Sequence, residues 1–287
     1  MTYHMTTLAD KALLVKLNRS MYQPYAYDKA ATEMVEQAAG VKNVGRYNKR
    51  LFKDSKTLKD TNEAFNALYL TYIKNTVPWL DDGVRMTPTA LYLELANELR
   101  GLIRDARRAA DALELAWPQM VIDDMRRLGA MGNWADYPSA AEVRAKFDAQ
   151  VNFFPIPTTA DFRIDVSAED KAAMDAAIAT AEANVGKYLM KEMLRPVQSF
   201  VKKLSVPIGT EGSIFRDTLV ENINDLVDRL PRLNINNDPE VTVLINEIKA
   251  VMETFNADAL RDSPVVRQSA RDKMAEIEAK MAAFMGG

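Results

Sequence analysis

Cysteine is absent from the 287 residues, and histidine occurs once, as His4. The first absence excludes disulfide frameworks, thiol nucleophiles, iron–sulfur clusters and thiolate zinc sites. The second leaves no material for a Ser-His-Asp triad or a His-rich metal cage. Glycine-rich phosphate loops, HExxH, GxSxG and dinucleotide fingerprints do not occur. No window approaches the roughly 18 apolar residues of a membrane span, and the opening MTYHMTTLADKALLVKLNRS shows neither a basic leader nor a continuous apolar stretch. Together these gaps predict a cytoplasmic protein without metal or cofactor, and a binding protein rather than an enzyme.

What is present is ordinary globular material, 48% hydrophobic and 27% charged, so the chain can bury a core and is not a disordered one. Its charge is unevenly spread. Residues 1–60 hold eleven Lys and Arg against six Asp and Glu, a net +5, which leaves −8 on the remainder of a chain whose total is −3. A basic beginning on an acidic body permits an anionic partner.

The dominant period is helical. Leu58, Phe65, Leu68, Tyr69, Tyr72 and Ile73 form one stripe ending before Pro78, and Leu91, Leu95, Leu99, Leu102, Ala106, Ala109, Leu113 and Ala116 form another. Thr87-Pro88 has the chemistry of a cap for that second helix, and Pro118 is expected to interrupt or bend it. Further starts are written at Ser139 with Glu142, Ser167 with Asp170, Asp238-Pro239 and Ser263-Pro264. After Ser167 an apolar row runs to Leu204, which makes about 55 Å of helix at 1.5 Å per residue if Pro196 only kinks it. Helices over 211–230, 239–255 and 264–285 follow. In the last, Ala270, Met274, Ile277, Met281 and Phe284 have coiled-coil spacing, which suggests a homo-oligomer seam.

Only residues 13–27 and 151–166 carry β-branched and aromatic residues with partial alternation and prolines, and they are expected to pair as a small sheet. The fold class is therefore mainly α, with long helices, a bundle or coiled-coil-like C-terminal half and a small β element. A boundary near 166 divides a mixed N-terminal domain, 1–166, from an all-helical C-terminal domain, 167–287.

Three stretches stand apart from packing. In NTVPWLDDGVRMTP, residues 75–88, Trp79, Asp81, Asp82 and Arg85 sit between two long helices. They are read as a structural turn or a partner contact, since two adjacent carboxylates need outside help to hold Mg²⁺. Asp161 and Arg163 follow the proline-stiffened FFPIP and are candidate partner contacts. In VKNVGRYNKRLFKDSKTLK, residues 41–59, Lys42, Arg46, Lys49 and Lys53 fall on one helical face. With Arg50 and Tyr47 they make a candidate single-stranded DNA surface, the alternative being a solvated helix face.

At these same places the chain resembles a family of tailed bacteriophages and some bacteria, known as a domain of unknown function. The residues that carry the likeness are Gly45-Arg46-Tyr47 with Lys49-Arg50-Leu51, Thr76-Val77-Pro78-Trp79 with Asp81-Asp82-Gly83 and Arg85, and Tyr137-Pro138-Ser139. Pro155 to Asp161-Phe162-Arg163, Phe215-Arg216 with Glu221-Asn222, and Leu230-Pro231 with Asn234 extend it over nearly the whole chain. The resemblance supplies no catalytic residues. It implies an accessory or adaptor role, because the phage members accompany an AAA+ ATPase of the MoxR type and a von Willebrand factor A-like protein. The expected setting is then the host-cell cytoplasm and the expected partner that ATPase.

Overall fold

A computed structural model describes residues 7–80, 83–157, 167–206, 217–255 and 257–286. Helix takes up well over half of them. The order is α1 (Leu8–Lys11), β1 (Ala12–Ser20), β2 (Tyr25–Tyr27), α2 (Lys29–Ala39), β3 (Asn48–Arg50), α3 (Lys56–Lys74), β4 (Val77–Pro78), β5 (Arg85–Pro88), α4 (Tyr92–Leu128), α5 (Ala140–Lys146) and β6 (Asp148–Pro155). Then come α6 (Ala168–Leu204), α7 (Asp217–Leu233), α8 (Pro239–Thr254), α9 (Ala257–Asp262) and α10 (Pro264–Gly286). The protein is mainly α with a small β element, and every regular element described after residue 166 is helical. Among the described residues no helix is long and apolar enough to cross a membrane.

The chain forms two compact units that do not follow sequence order. The first comprises residues 1–16, 73–95 and 152–287; the second comprises 17–72 and 96–151. This partition differs from a single cut at 166, because the chain passes from one unit to the other four times.

The first unit is built on apolar helix faces. Leu189, Met190, Met193, Val197 and Phe200 of α6 are buried with Ile223, Leu230, Leu244, Ile248 and the α10 row Ala270, Met274, Ile277 and Met281. The coiled-coil spacing of α10 is thus spent inside the chain. Its seam faces α6 and α8 rather than a second copy, which removes the reason to expect an oligomer there. Ser167 and Asp238 cap their helices as their spacing predicts, accepting hydrogen bonds from Asp170 N and from Glu240 N and Val241 N. Pro196 and Pro118 both lie inside continuous helices, so neither interrupts its element.

A four-stranded sheet has the order β4-β5-β1-β6, and a separate ribbon pairs β2 with β3. The expected neighbours β1 and β6 are adjacent, but the end of the 13–27 stretch belongs to the ribbon instead. The unexpected strands are β4 and β5, an antiparallel hairpin closed by Trp79 N–H donating to Val84 O at 3.0 Å. Thr87 and Pro88 therefore lie in β5 opposite Leu13 and Ala12, not at a helix cap. Pairing with β1 buries Met86 and Thr87 completely, which outweighs a local capping preference, and α4 starts at Tyr92 after a 3-10 turn.

In the second unit α3 buries Leu58, Phe65 and Leu68, and α4 buries Leu99, Ala106, Ala110 and Leu113. Phe65 meets Phe147 with ring centres 5.4 Å apart, and Thr61 of α3 donates to Ala109 O of α4.

Candidate functional site

Residues 41–59 are not one amphipathic helix. Gly40 (φ 67), Asn43 (φ 58) and Phe52 (φ 52) take left-handed backbone there, β3 occupies 48–50, and α3 begins only at Lys56. The consequence for the basic residues is a sorting by strand alternation. β2 and β3 pair Tyr25 with Arg50, Ala26 with Lys49 and Tyr27 with Asn48, so Lys49 faces inward while Tyr25, Tyr27, Asn48 and Arg50 face outward.

Lys49 is 6% exposed and spent within the unit. Its ammonium lies 2.7 Å from Asp136 Oδ2 and 3.2 Å from Asp28 Oδ2, and donates to Met131 O at 2.8 Å. Three acceptors thus surround a group with three donors. Burial alone would lower its pKa, but the hydrogen bonds and charges of Asp136 and Asp28 outweigh that and hold it above the ordinary lysine value. Asp28 is held below the usual carboxylate value, first by the Ala31 N–H that it caps at the start of α2 and then by Lys49. Lys49 is therefore no phosphate ligand, and a DNA surface built around it loses its centre. Sequence reasoning missed this triangle because residues 28, 49 and 136 share no local pattern.

Next to it lies a second polar group. Tyr137 donates to Asp124 Oδ2 at 2.8 Å, Arg127 Nε donates to Asp124 Oδ1 at 2.7 Å, and a further Arg127 nitrogen donates to Arg50 O at 2.9 Å. Phe52 and Tyr22 pack on Trp117, whose indole N–H donates to Pro138 O at 2.9 Å. Burial, then the charges of Asp124 and Asp136, push the Tyr22 phenol up to about 12. Tyr137 is pushed up further still, by burial first and then by its bond to Asp124.

Outside this polar core the chain exposes apolar side chains. Tyr25, Tyr27, Met34, Val35, Val41, Val44 and Tyr47 range from 42% exposed at Tyr27 to 63% at Met34. The loop after Gly40 folds back toward α2 and its cap by hydrogen bonds: Val41 N–H donates to Glu36 O at 3.2 Å, Asn43 N–H to the Glu36 carboxylate at 2.6 Å, Tyr47 N–H to Thr32 Oγ1 at 3.0 Å, and Asp28 N–H to Tyr47 O at 2.9 Å. A cleft of about 220 Å³ remains, lined by Thr32, Val35, Glu36, Val44, Gly45, Arg46 and Tyr47. The Arg46 guanidinium carbon sits 4.4 Å above the Tyr27 ring centre, which joins the cleft to the outward face of the ribbon. Lys42, Arg46, Arg50 and Lys53 are exposed, and none has an acidic partner among the described residues.

The other candidates are placed differently. Arg85 is 3% exposed; its Nε donates to Thr76 Oγ1 at 2.6 Å, and another nitrogen donates to Thr76 O at 2.7 Å and to the Tyr188 hydroxyl at 2.9 Å. Buried that way, it ties the β4–β5 hairpin to α6 and offers no surface to a partner. Trp79 is half-buried against the apolar core of the first unit. Asp81, Asp82, Asp161 and Arg163 lie outside the described residues. Among the described residues no group of three or more His, Asp or Glu is placed to hold a metal ion. No family model, curated protein or solved structure matches the chain, so its function is argued from its own residues.

Proposed function

We propose that the protein is a non-enzymatic interaction protein, an adaptor of the tailed-phage kind that works in the host cytoplasm as an accessory to an AAA+ ATPase. One observation carries the binding role: the excursion over residues 25–47 turns seven large apolar side chains toward solvent while the neighbouring residues are tied into a polar core. A folded unit gains nothing from such exposure on its own, and apolar side chains held at the surface among charged ones are characteristic of a binding face. The family resemblance supports the ATPase as the partner. Mixing the protein with a MoxR-type AAA+ ATPase of the kind that accompanies members of the resembled phage family tests the reading. The expected result is a co-eluting complex on size exclusion and an altered rate of ATP hydrolysis; separate elution at tens of micromolar with an unchanged rate overturns it.

A second reading is single-stranded DNA binding through the same region, favoured by the exposed Lys42, Arg46, Arg50 and Lys53 beside Tyr47. It is the weaker one because Lys49 is consumed by Asp28 and Asp136, and because Arg46 already covers one face of Tyr27.

A further inference from the structure

We infer that residues 29–47 form a switchable arm: α2 and the loop behind it open and close as one unit on the β2–β3 ribbon while the rest of the second unit stays folded. Burial comes first. Of residues 29–48 only Thr32 is buried, whereas α3 buries Leu58, Thr61, Phe65, Leu68 and Tyr72. A helix of 11 residues is marginal in water by itself, so α2 depends on what holds it to the ribbon.

Hydrogen bonding decides the rest. At the base, Thr32 Oγ1 donates to Asp28 O at 2.8 Å and accepts from Tyr47 N–H, Asp28 N–H donates to Tyr47 O, and the Asp28 carboxylate is tied to Lys49. Beyond the base the arm holds only to itself: Val41 N–H and Asn43 N–H donate to Glu36, and Lys29 pairs with Glu33 at 3.6 Å. Among the described residues, no hydrogen bond, ion pair or ring contact joins 29–46 to anything outside 27–47. Scant burial and a single polar pin are the conditions for local opening below the global unfolding free energy. Met34, Val35, Val41, Val44 and Tyr47, five of the seven exposed apolar side chains, ride on this arm, so its opening takes the proposed binding face apart. That use of the arm rests on the adaptor reading; the opening itself does not.

Hydrogen–deuterium exchange of the free protein, read by mass spectrometry of its peptides, tests this. The expected result is that the α2 amides exchange through one common opening, protected to a measurable degree but about a hundredfold or more faster than those of α3 and α4. Thr32→Val keeps the shape of the side chain and loses both hydroxyl bonds, so exchange throughout 29–47 should quicken about tenfold. Gly40→Ala acts from the far end: its added Cβ meets nothing within 4 Å and only strains the left-handed φ of 67, so the same amides should quicken about fivefold. In neither variant should α3 or α4 change. Amides of α2 as protected as those of α3 and α4, amides of α2 without any protection, or variants that quicken only their immediate neighbours or nothing each overturn the inference. The adaptor reading fails separately: an absent ATPase complex leaves the opening measured on the free protein untouched, whereas a complex formed by a protein whose arm does not open sinks the arm alone.

Discussion

The two units solve the same problem with different chemistry. In the first, long helices bury aliphatic and methionine side chains against each other, and a buried cation such as Arg85 is held by a Thr hydroxyl, a carbonyl and a Tyr hydroxyl. In the second, buried or half-buried polar groups meet: Lys49 lies between Asp28 and Asp136, and Asp124 near the end of α4 is held by Arg127 of the same helix and by the Tyr137 hydroxyl. An apolar face tolerates volume-conserving exchange and depends little on pH, while a buried ion network is costly to break one member at a time. Polar anchoring therefore specifies one arrangement for the segment that carries the exposed apolar surface.

The largest effect that sharpens this contrast is expected at Phe200, fully buried in α6, where Phe200→Ala removes a ring and should cost about 4 kcal/mol in denaturant unfolding. Phe200→Leu should recover most of the loss, as it would in any apolar core. Next is Lys49→Ala, which strands Asp28 and Asp136 and should cost about 3 kcal/mol. If Lys49→Met restored full stability, the network would be dispensable and the contrast would collapse. In a Trp79→Phe background the remaining tryptophans, Trp117 and Trp134, both belong to the second unit and report on its unfolding.

Alkaline pH should separate the units next. Tyr22 is raised from 10.0 to about 12 and Tyr137 is raised as well, so between these values the unfolded chain has released phenolic protons that the folded one still holds. Stability present below pH 10 is then lost as pH rises, with Lys49 contributing in the same direction. The first unit holds Tyr188, also raised by burial. Denaturant midpoints of the tryptophan signal at pH 8, 10 and 11 should therefore fall sooner for the second unit than far-UV dichroism does for the helical first.

Smaller effects should be alike in both units because their origin is local. Ser139→Ala and Ser167→Ala each remove a side-chain cap and should cost about 1 kcal/mol by thermal melting. The smallest effect is expected at Leu115, 85% exposed on α4, where Leu115→Ala should stay within about 0.5 kcal/mol.

The helices were legible because their signal repeats. α6, α8 and α10 follow their capping residues and apolar rows, and α4 keeps the expected face with a shift of one residue that brings Ile103, Ala110 and Trp117 inward. The β4–β5 hairpin was not legible, since Thr87-Pro88 offers the same chemistry to a strand end as to a helix start. Only β1 alongside decided between them. Of the candidate site, the sequence marked Arg46, Tyr47, Lys49 and Arg50 as unusual, but it assigned them one helical face. The pairing of Ala26 with Lys49 instead sends that lysine inward and leaves Arg50 outside.

By itself, then, the sequence determined the helical class, the capped starts, and an apolar seam on α10, because each rests on neighbours within one or two turns. It could not determine what that seam meets. Tertiary structure assigned the seam to α6, turned Lys49 and Arg85 from surface candidates into buried anchors, and gathered Val35, Val44 and Arg46 around a cleft. The physical reason is the same in each case: burial and ion pairing are decided by which distant segments come together, and a local pattern records only that some partner is needed.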